Sequence, residues 1–412
     1  MSALHDSAQR VRRALPLLFV AGTAGAVLTR AYDDFDLLPT VAVTGVAAVI
    51  LYLAVYLRER RALLRGLAIA SAGSLVWWGA LHAVGFVAGL ADTVGAGGLA
   101  LVADQAIRAL RAKGAPGEAP PPARDLVLLW AVFPLATIAG LALFDETARA
   151  LPRAWDARAY VLDTAFPLHA FHVGRLLDRF VWMRSVARFV YEQIFLFLTV
   201  LVAMRTRLRK APAAELLLVC AFASIVGQAG YYVTPIVGPG FAFQAKFPDV
   251  LPDVAYLPTV AVPVPPQWPR NCMPSIHTVW GLVFLWNARP FGWAARAFGA
   301  FVLVFTVLAT LGLGYHYVVD LVAAVPFAAV AQAVGTRVTD PRVARLRWQV
   351  IGGGAALSIA WVVAPRCLPY AVAGVPGLLD VLALATIAAG VAGELALARA
   401  TRTDLPQADQ TA

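Results

Sequence analysis

Two short stretches decide the fold of this chain, RNCMPSIHT at residues 270–278 and GLGYHYVVD at residues 312–320. Each lies where a hydrophobic run begins or ends, and each contains one of the six histidines in 412 residues. His277 and His316 are 316 − 277 = 39 positions apart. Because roughly 20 helical residues cross a bilayer, this spacing predicts one helix across the membrane, a short turn and one helix back. Both histidines should therefore lie at the same membrane face.

The residues around His316 indicate a nucleophile. His316 and Asp320 are spaced i, i+4, so on a helix they would share one face. A carboxylate there accepts a hydrogen bond from one imidazole nitrogen and leaves the lone pair of the other nitrogen free to attack. His316 could then form a covalent intermediate, while His277 protonates the leaving oxygen and later deprotonates the acceptor. No Asp/Glu/His cluster with metal-ligand spacing accompanies them, so we expect no metal and no cofactor, and we interpret Cys272 as a packing residue.

These motifs also point to a family. PSIH at residues 274–277, followed by GYHYVVD at residues 314–320, resembles the second and third signatures of the type 2 phosphatidic acid phosphatase superfamily. Members of that superfamily hydrolyse or transfer lipid phosphates through a phosphohistidine. The resemblance, which covers about residues 225–330, implies that His316 is the nucleophile, Asp320 its orienting partner and His277 the acid/base.

The chain departs from the superfamily pattern in its cations. The usual first signature, a lysine six residues before Arg-Pro, is absent upstream, and the usual Ser-Arg pair before the third-signature histidine reads Ala309-Thr310. With GYYVTPIVGP at residues 230–239, this loss looks more like the inositolphosphotransferase branch, which includes inositol-phosphorylceramide synthase, with sphingomyelin synthases as further relatives. The branch implies transfer of a phosphoryl group or a phospho-headgroup, such as inositol phosphate, between lipids. The alternative is a phosphatase acting on lipid phosphates or isoprenyl pyrophosphates.

The composition predicts a polytopic membrane protein. The chain is 60% hydrophobic and 14% charged, with a mean hydropathy of +0.72, whereas soluble domains are near 45–50% apolar and about 25% charged. The net charge of +10 comes from arginines in short loops between apolar runs, as the positive-inside rule requires, and we exclude nucleic acid as a partner. We expect membrane lipids as partners, and the sequence leaves the oligomeric state open.

We predict an all-α protein of about 11–12 transmembrane helices with a six-helix, phosphatase-like catalytic core. The arginine-rich loops after residue 186 fall on one face, which places His277 and His316 on the extracytoplasmic side of a bacterial inner or plasma membrane. The predicted segments are an N-terminal transmembrane bundle (1–104), a basic proline-rich linker (105–124), the catalytic core (125–336) with an interfacial segment (145–186) and an extracytoplasmic cap loop (237–274), and two further spans with a polar tail (337–412). Residues 66–104 require two crossings or a re-entrant hairpin.

Some group must bind the substrate phosphate in place of the missing cations. Arginine contacts phosphate oxygens with two donors, and lysine adds a point charge. The candidate substrate-binding residues are Arg270, Asn271 and Ser275 beside His277, Lys246 in the cap loop, and Gln228 and Tyr232 near the end of the preceding span. An alternative phosphate cradle is one helical face with His169, His172, Arg175 and Arg179, which also fits arginines that snorkel from an interfacial helix.

Two other classes of protein compete with an enzyme. A transporter would have internal repeats with Gly/Pro-interrupted helices in both halves, and the sequence contains no convincing repeat. An inactive lipid-binding scaffold would have no need of all three residues His277, His316 and Asp320, and this chain retains them.

Overall fold

The computed structural model describes residues 59–83, 90–112, 146–208, 213–338, 340–368 and 377–402, with a few further positions between residues 45 and 56 and at 370, 374 and 375. Helices dominate these ranges, as the sequence predicts. The described strands, β1 (Arg153–Ala154) and β2 (Val262–Pro263), form one antiparallel pair. The chain divides into two compact units, Met1–Leu143 with Thr199–Leu217 and Phe144–Leu198 with Leu218–Ala412.

In the first unit, helix α1 (Arg60–Ala83) packs against helix α2 (Leu90–Ala112). They approach closely at Gly97, where a Cβ atom would lie 2.7 Å from the carbonyl oxygen of Ala70. Helix α2 ends at Ala112, so the first residues of the predicted linker 105–124 are helical. The remainder of that linker and the first residues of the predicted catalytic core, 125–145, lie outside the described residues.

The second unit contains both histidine motifs. Its helices, including two that cross the boundary between the units, are α3 (Asp156–Asp163), α4 (Ala170–Arg179), α5 (Val181–Glu192), α6 (Ile194–Leu208), α7 (Ala213–Val226), α8 (Gln228–Val233), α9 (Pro239–Phe243), α10 (Ile276–Ala288), α11 (Trp293–Gly312), α12 (Val318–Gly335), α13 (Pro341–Cys367) and α14 (Leu378–Arg402). Helices α10 and α11 are joined by a short 3₁₀ turn, Arg289–Phe291. The order of helix, turn and helix is the one that the spacing of His277 and His316 predicts, but α10 has 13 residues and is not among the described helices that are long enough to cross a membrane.

Six helices in the described ranges are long and apolar enough to cross a membrane, or seven if the bent pair α5–α6 forms one span. The six are α1, α7 continued into α8, α11, α12, α13 and α14. The structure therefore confirms an all-α polytopic membrane protein. The total of about 11–12 spans stays a prediction, because several of the expected segments lie outside the described residues.

Helix α12 forms the centre of the second unit. Its sequence is rich in valine and alanine, and α3, α10, α13 and α14 pack against it and bury most of its length. Small residues allow the flanking helices to come close. A Cβ atom on Gly354 of α13 would lie 2.9 Å from the Pro326 carbonyl oxygen, and one on Gly390 of α14 would lie 3.1 Å from the Pro326 nitrogen. This packing fixes the start of α12, which follows His316.

The residues between β1 and α5 divide into a buried part and an amphipathic part. Helix α3 is buried within the second unit and packs against α12. Helix α4 buries Phe171, Val173 and Leu177 on one side. The position of residues 145–186 at the membrane surface remains a prediction.

The proline-rich loop at residues 237–274 packs over the end of α11. Its backbone is tied to the second histidine motif, because the Gly240 N–H donates to the Gly314 carbonyl oxygen over 2.8 Å. A Cβ atom on Gly240 would lie 3.1 Å from that same oxygen, so the approach leaves little room for a side chain. The loop therefore lies at the end of the unit that carries His316.

The arrangement of helices yields a test of the predicted membrane orientation. Tyr256 lies in the cap loop and is 86% exposed, whereas Arg342 is exposed beside the loop that follows the far end of α12. After exposed Cys367 is replaced by serine, we expect an impermeant maleimide added to intact cells to label Tyr256→Cys but not Arg342→Cys. Labelling of Arg342→Cys alone would invert the topology and place the histidines in the cytoplasm.

Candidate active site

His316 and Asp320 lie in contact at the start of α12. The Nδ1 atom of His316 is 3.4 Å from Oδ2 of Asp320, and both side chains are buried. The i, i+4 spacing predicts that these two residues share one helix face, and that local geometry is wrong. His316 precedes the helix, because Gly314 adopts φ +76° after the end of α11. Asp320 reaches back instead, and its Oδ2 accepts a hydrogen bond from the Tyr317 N–H over 2.8 Å, as acidic side chains do near helix N-termini.

Hydrogen bonds join the two histidine motifs. The Ser275 N–H donates to the Asp320 carbonyl oxygen over 3.2 Å, and the Cys272 thiol donates to the Tyr315 carbonyl oxygen over 3.0 Å. Ser275 also caps α10, since its hydroxyl oxygen accepts from the Thr278 N–H. Because Ser275 caps the helix whose first turn contains His277, the bond to Asp320 brings His277 to the start of α12. The predicted convergence of the motifs is therefore present.

His277 lies in an aromatic wall. Its ring stacks on Tyr191 of α5 with 3.8 Å between centroids, and Trp280 meets it edge-on at 5.0 Å. Tyr191 stacks in turn on Tyr315, the residue before His316, at 5.1 Å. His277 is half-buried and interacts electrostatically with His316. This wall holds the imidazole plane in one orientation and covers one side of the site.

Two buried aspartates that the sequence analysis missed position the backbone around His316. Asp156 accepts hydrogen bonds from the Val237 and Gly238 N–H groups at 3.0 and 2.8 Å, and from the Tyr317 hydroxyl at 3.0 Å. Asp163 accepts from the N–H groups of Ala170 and Val318. Their i, i+7 spacing on α3 was the available signal, because it puts both carboxylates on one helix face. They connect α3 and the cap loop to the start of α12.

Burial changes the protonation of both carboxyl groups. Removal from water raises the pKa of Asp156 from 3.8 to about 7, and the hydrogen bonds that it accepts offset only part of that rise. The pKa of Asp163 is raised to about 7 for the same reason. The charge of Asp320 contributes to each rise. The start of α12 is thus surrounded by carboxyl groups that gain protons more readily than usual.

Arg270, the first choice for a phosphate ligand, has its donors engaged elsewhere. Its side chain is fully buried. The guanidinium donates to backbone carbonyl oxygens of Leu151, Val264, Pro265, Pro266 and Trp268. A loop with so many prolines has few N–H groups of its own, and the arginine supplies the donors that its carbonyls need. The geometry gives no support to contact between Arg270 and phosphate.

In the alternative phosphate cradle, Arg175 also donates to backbone carbonyl oxygens. Arg175 donates from Nε to the Pro248 carbonyl oxygen at 3.0 Å and from a terminal nitrogen to the Asp249 carbonyl oxygen at 2.8 Å. Arg179 lies over the ring of Phe180. His169 and His172 have ring centroids 4.1 Å apart, and burial lowers the pKa of His169 to about 4, so it is neutral at neutral pH. These contacts indicate that Arg175 holds the cap loop.

The remaining candidate substrate-binding residues differ in burial and in their position relative to the two histidine motifs. Ser275 is in the site as the cap of α10. Gln228 is buried, with its Nε2 donating to the Ser224 carbonyl oxygen at 2.9 Å. Tyr232 and Lys246 are exposed, and Asn271 is half-buried next to Cys272. Helix α8 reaches the first motif at Gly230, where a Cβ atom would lie 2.6 Å from the Met273 carbonyl oxygen.

The structure also reveals a possible metal-ligand set that the sequence analysis did not identify. One ligand atom each from Cys272, His316 and Asp320 lies within 4.8 Å of the others, and all three residues are buried. Cys272 was interpreted as packing because the three cysteines of the chain fit neither a disulfide framework nor a zinc site. The two residues meet only because the motifs are bonded together.

One comparison with known proteins covers the part of the chain that contains both histidine motifs. Residues 160–334 match the family model of the PAP2 superfamily, a range that runs from α3 to the end of α12 and includes His277, His316 and Asp320. This match suggests an activity of the lipid phosphatase or phosphotransferase kind and does not select the inositolphosphotransferase branch. No curated protein and no solved structure matches the chain.

The raised pKa of Asp156 predicts a pH-dependent stability. Between pH 3.8 and about 7 the folded protein retains a proton that the unfolded chain releases, so the free energy of unfolding falls as pH rises through that window. We expect Asp156→Asn, which cannot ionise, to flatten the decline in melting temperature of the detergent-solubilised protein. Asp253→Asn, at an exposed turn, serves as control. An Asp156→Asn profile that parallels that of the parent protein would contradict the assignment.

Proposed function

We propose that this protein is an integral membrane lipid phosphotransferase that acts through a phosphohistidine at His316. The observation that carries the proposal is the contact between His316 Nδ1 and Asp320 Oδ2, joined to the His277 helix by the bond from the Ser275 N–H to the Asp320 carbonyl oxygen. A carboxylate at Nδ1 favours the tautomer whose Nε2 lone pair is available. The family match supports the same class of chemistry.

The reaction divides into two displacements. In the first, Nε2 of His316 attacks the phosphorus of a donor lipid, the bond from phosphorus to the leaving oxygen breaks, and protonated His277 gives that oxygen its proton and becomes neutral. Asp320 stabilises the positive charge that develops on the imidazole. In the second, His277 takes the proton of an acceptor hydroxyl, whose oxygen attacks phosphorus and breaks the P–N bond. His316 returns to its neutral state.

The phosphate oxygens need donors, and the described contacts suggest backbone groups in place of the absent signature cations. The first N–H groups of a helix have no intrahelical partner, and the helix dipole favours an anion there. At the start of α10, the N–H of Thr278 donates to the hydroxyl oxygen of Ser275. We therefore assign the preceding N–H, that of His277, as a donor to a phosphate oxygen. Lys246, exposed in the cap loop, remains a candidate to add a positive charge.

The burial of the site favours transfer over hydrolysis. His316 is only 3% exposed, and His277 is stacked against Tyr191. Limited access of water protects an intermediate from hydrolysis. We therefore infer that donor and acceptor are both membrane lipids, with a phosphoryl group or a phospho-headgroup such as inositol phosphate as the transferred group. A lipid phosphatase would use the same first displacement with water in the second.

Substitution of His316 and of Asp320 gives the most direct mutational test of the mechanism. We expect His316→Ala to abolish turnover, because it removes the nucleophile. Asp320→Asn should lower the rate by about four orders of magnitude if the effect resembles the wrong-tautomer loss in the serine-protease triad. Purified protein is assayed with a panel of phospholipid donors and hydroxylated lipid acceptors, with products read by mass. Asp253→Asn is the matched control, and activity of His316→Ala within tenfold of the parent would contradict the mechanism.

The acceptor is identified in the same assay. When the panel is run in ¹⁸O-labelled water, a transferase yields phosphorylated acceptor lipid without the label, whereas a phosphatase yields labelled inorganic phosphate. Labelled phosphate as the main product with every acceptor would assign hydrolysis and leave the first displacement unchanged.

The proposed chemistry also predicts that a chelator does not inhibit. Both displacements use protein groups for nucleophilic attack and proton transfer, so we expect EDTA to leave the turnover rate undiminished. The assay compares untreated and chelated enzyme in the same detergent. A loss of activity that Mg²⁺ or Zn²⁺ restores would contradict this mechanism and require a metal in the reaction.

A further inference from the structure

We propose that Cys272, His316 and Asp320 form a binding site for a thiophilic divalent cation such as Zn²⁺, and that an ion bound there blocks the nucleophilic histidine. The ion-binding half of this proposal stands on the geometry of three side chains. The inhibitory half rests on the proposed function, because it requires His316 to be the nucleophile.

The first observation is that two of the three side chains have unused polar atoms. Within the part of the chain that the structure describes, Nδ1 of His316 and Oδ1 of Asp320 are buried and have no hydrogen-bond partner of good geometry. An unsatisfied buried polar atom costs about 1–3 kcal/mol. The two atoms belong to side chains whose closest approach, Nδ1 to Oδ2, is 3.4 Å. A cation between them would satisfy both.

The second observation is the match between the donor set and one class of ion. Zn²⁺ takes sulfur, imidazole nitrogen and carboxylate oxygen at about 2.0–2.3 Å, so ligand atoms of a tetrahedral site lie roughly 3.3–3.8 Å apart. The three ligand atoms here lie within 4.8 Å of one another, so closing the site requires shifts of about 1 Å. Sulfur favours Zn²⁺ over the hard ions Mg²⁺ and Ca²⁺.

The electrostatic surroundings also favour a cation. Asp156 and Asp163 are buried beside the start of α12, and each interacts with the charge of Asp320. Asp156 also interacts with Cys272. The guanidinium of Arg270, which interacts with Asp156, is already engaged with backbone carbonyls. When these carboxyl groups are ionised, a bound divalent ion would offset their negative charge in a region of low dielectric constant.

An ion bound at this site would stop catalysis because it removes the nucleophilic lone pair of His316. The ion replaces the thiol proton of Cys272, which leaves to solvent, and accepts the lone pair of His316 Nδ1. A neutral imidazole with a metal at Nδ1 carries its proton on Nε2. Nε2 then has no lone pair with which to attack phosphorus. The bound ion also withdraws the Asp320 carboxylate from its role as partner to the imidazole.

The test uses the full-length protein in detergent and two independent readouts. Co²⁺ titration reports binding through the thiolate-to-cobalt charge-transfer band, which needs no turnover. Zn²⁺ titration of lipid turnover, with Mg²⁺ as comparison ion, reports inhibition relative to each variant's own rate. The variants are Cys272→Ser and Cys272→Ala, with Cys220→Ser, a buried cysteine on α7, as the matched control.

We expect one Co²⁺ per chain with a charge-transfer band that Cys220→Ser retains and both Cys272 variants lose. The Zn²⁺ concentration needed for inhibition should rise at least ten- to hundredfold in the Cys272 variants. Loss of a hydrogen-bond partner outside the ligand set already lowers metal affinity by about that factor, and Cys272 is a proposed ligand. Absence of the band in the parent protein, or its persistence in a folded Cys272 variant, would overturn the site. A band without any lipid turnover would instead reject the proposed function and leave the ion site standing.

Discussion

The Asp320 residue connects the parts of the second unit that must meet for chemistry. Its carboxylate approaches His316 Nδ1 at 3.4 Å and accepts the Tyr317 N–H at 2.8 Å, while its carbonyl oxygen accepts the Ser275 N–H at 3.2 Å. One residue therefore contacts His316, the nucleophile in the proposed mechanism, caps the start of α12 and holds the cap residue of the helix that carries His277. Since this residue lies in the first turn of α12, most of whose residues are buried, its position is fixed by packing along that helix.

Other ionisable side chains in this unit also hydrogen-bond to backbone groups. Asp156 and Asp163 accept backbone N–H groups from the cap loop, the start of α4 and the start of α12. Arg270 and Arg175 donate to carbonyl oxygens of the proline-rich loop. A loop without regular secondary structure must satisfy its polar backbone groups from side chains when it is buried. The ionisable residues around the site thus hold irregular backbone in place over a helical core.

The sequence predicts the helix pair and the meeting of the histidines because both depend on spacing and hydropathy. The same information places Asp320 beside His316, although for a reason that proved wrong: the aspartate caps α12 and does not share a helix face with the histidine. Asp156 and Asp163 act on backbone groups 81 and 155 positions away, and no local pattern announces such partners. The sequence likewise gives no indication of the partners of Arg270, which are backbone carbonyls in a loop whose path it does not specify. The phosphate contact of Arg270 therefore stays a prediction that the geometry does not support.

A phosphoryl group on His316 is the central claim of this account. The most direct measurement mixes purified protein with its fastest donor lipid, quenches the mixture within one turnover at neutral to basic pH, and maps the modified peptide by mass spectrometry. We predict the added mass of the transferred group on His316, appearing and decaying at rates fast enough to support turnover. Turnover without any modification of His316, or with the group on His277 or on another residue, would contradict the account.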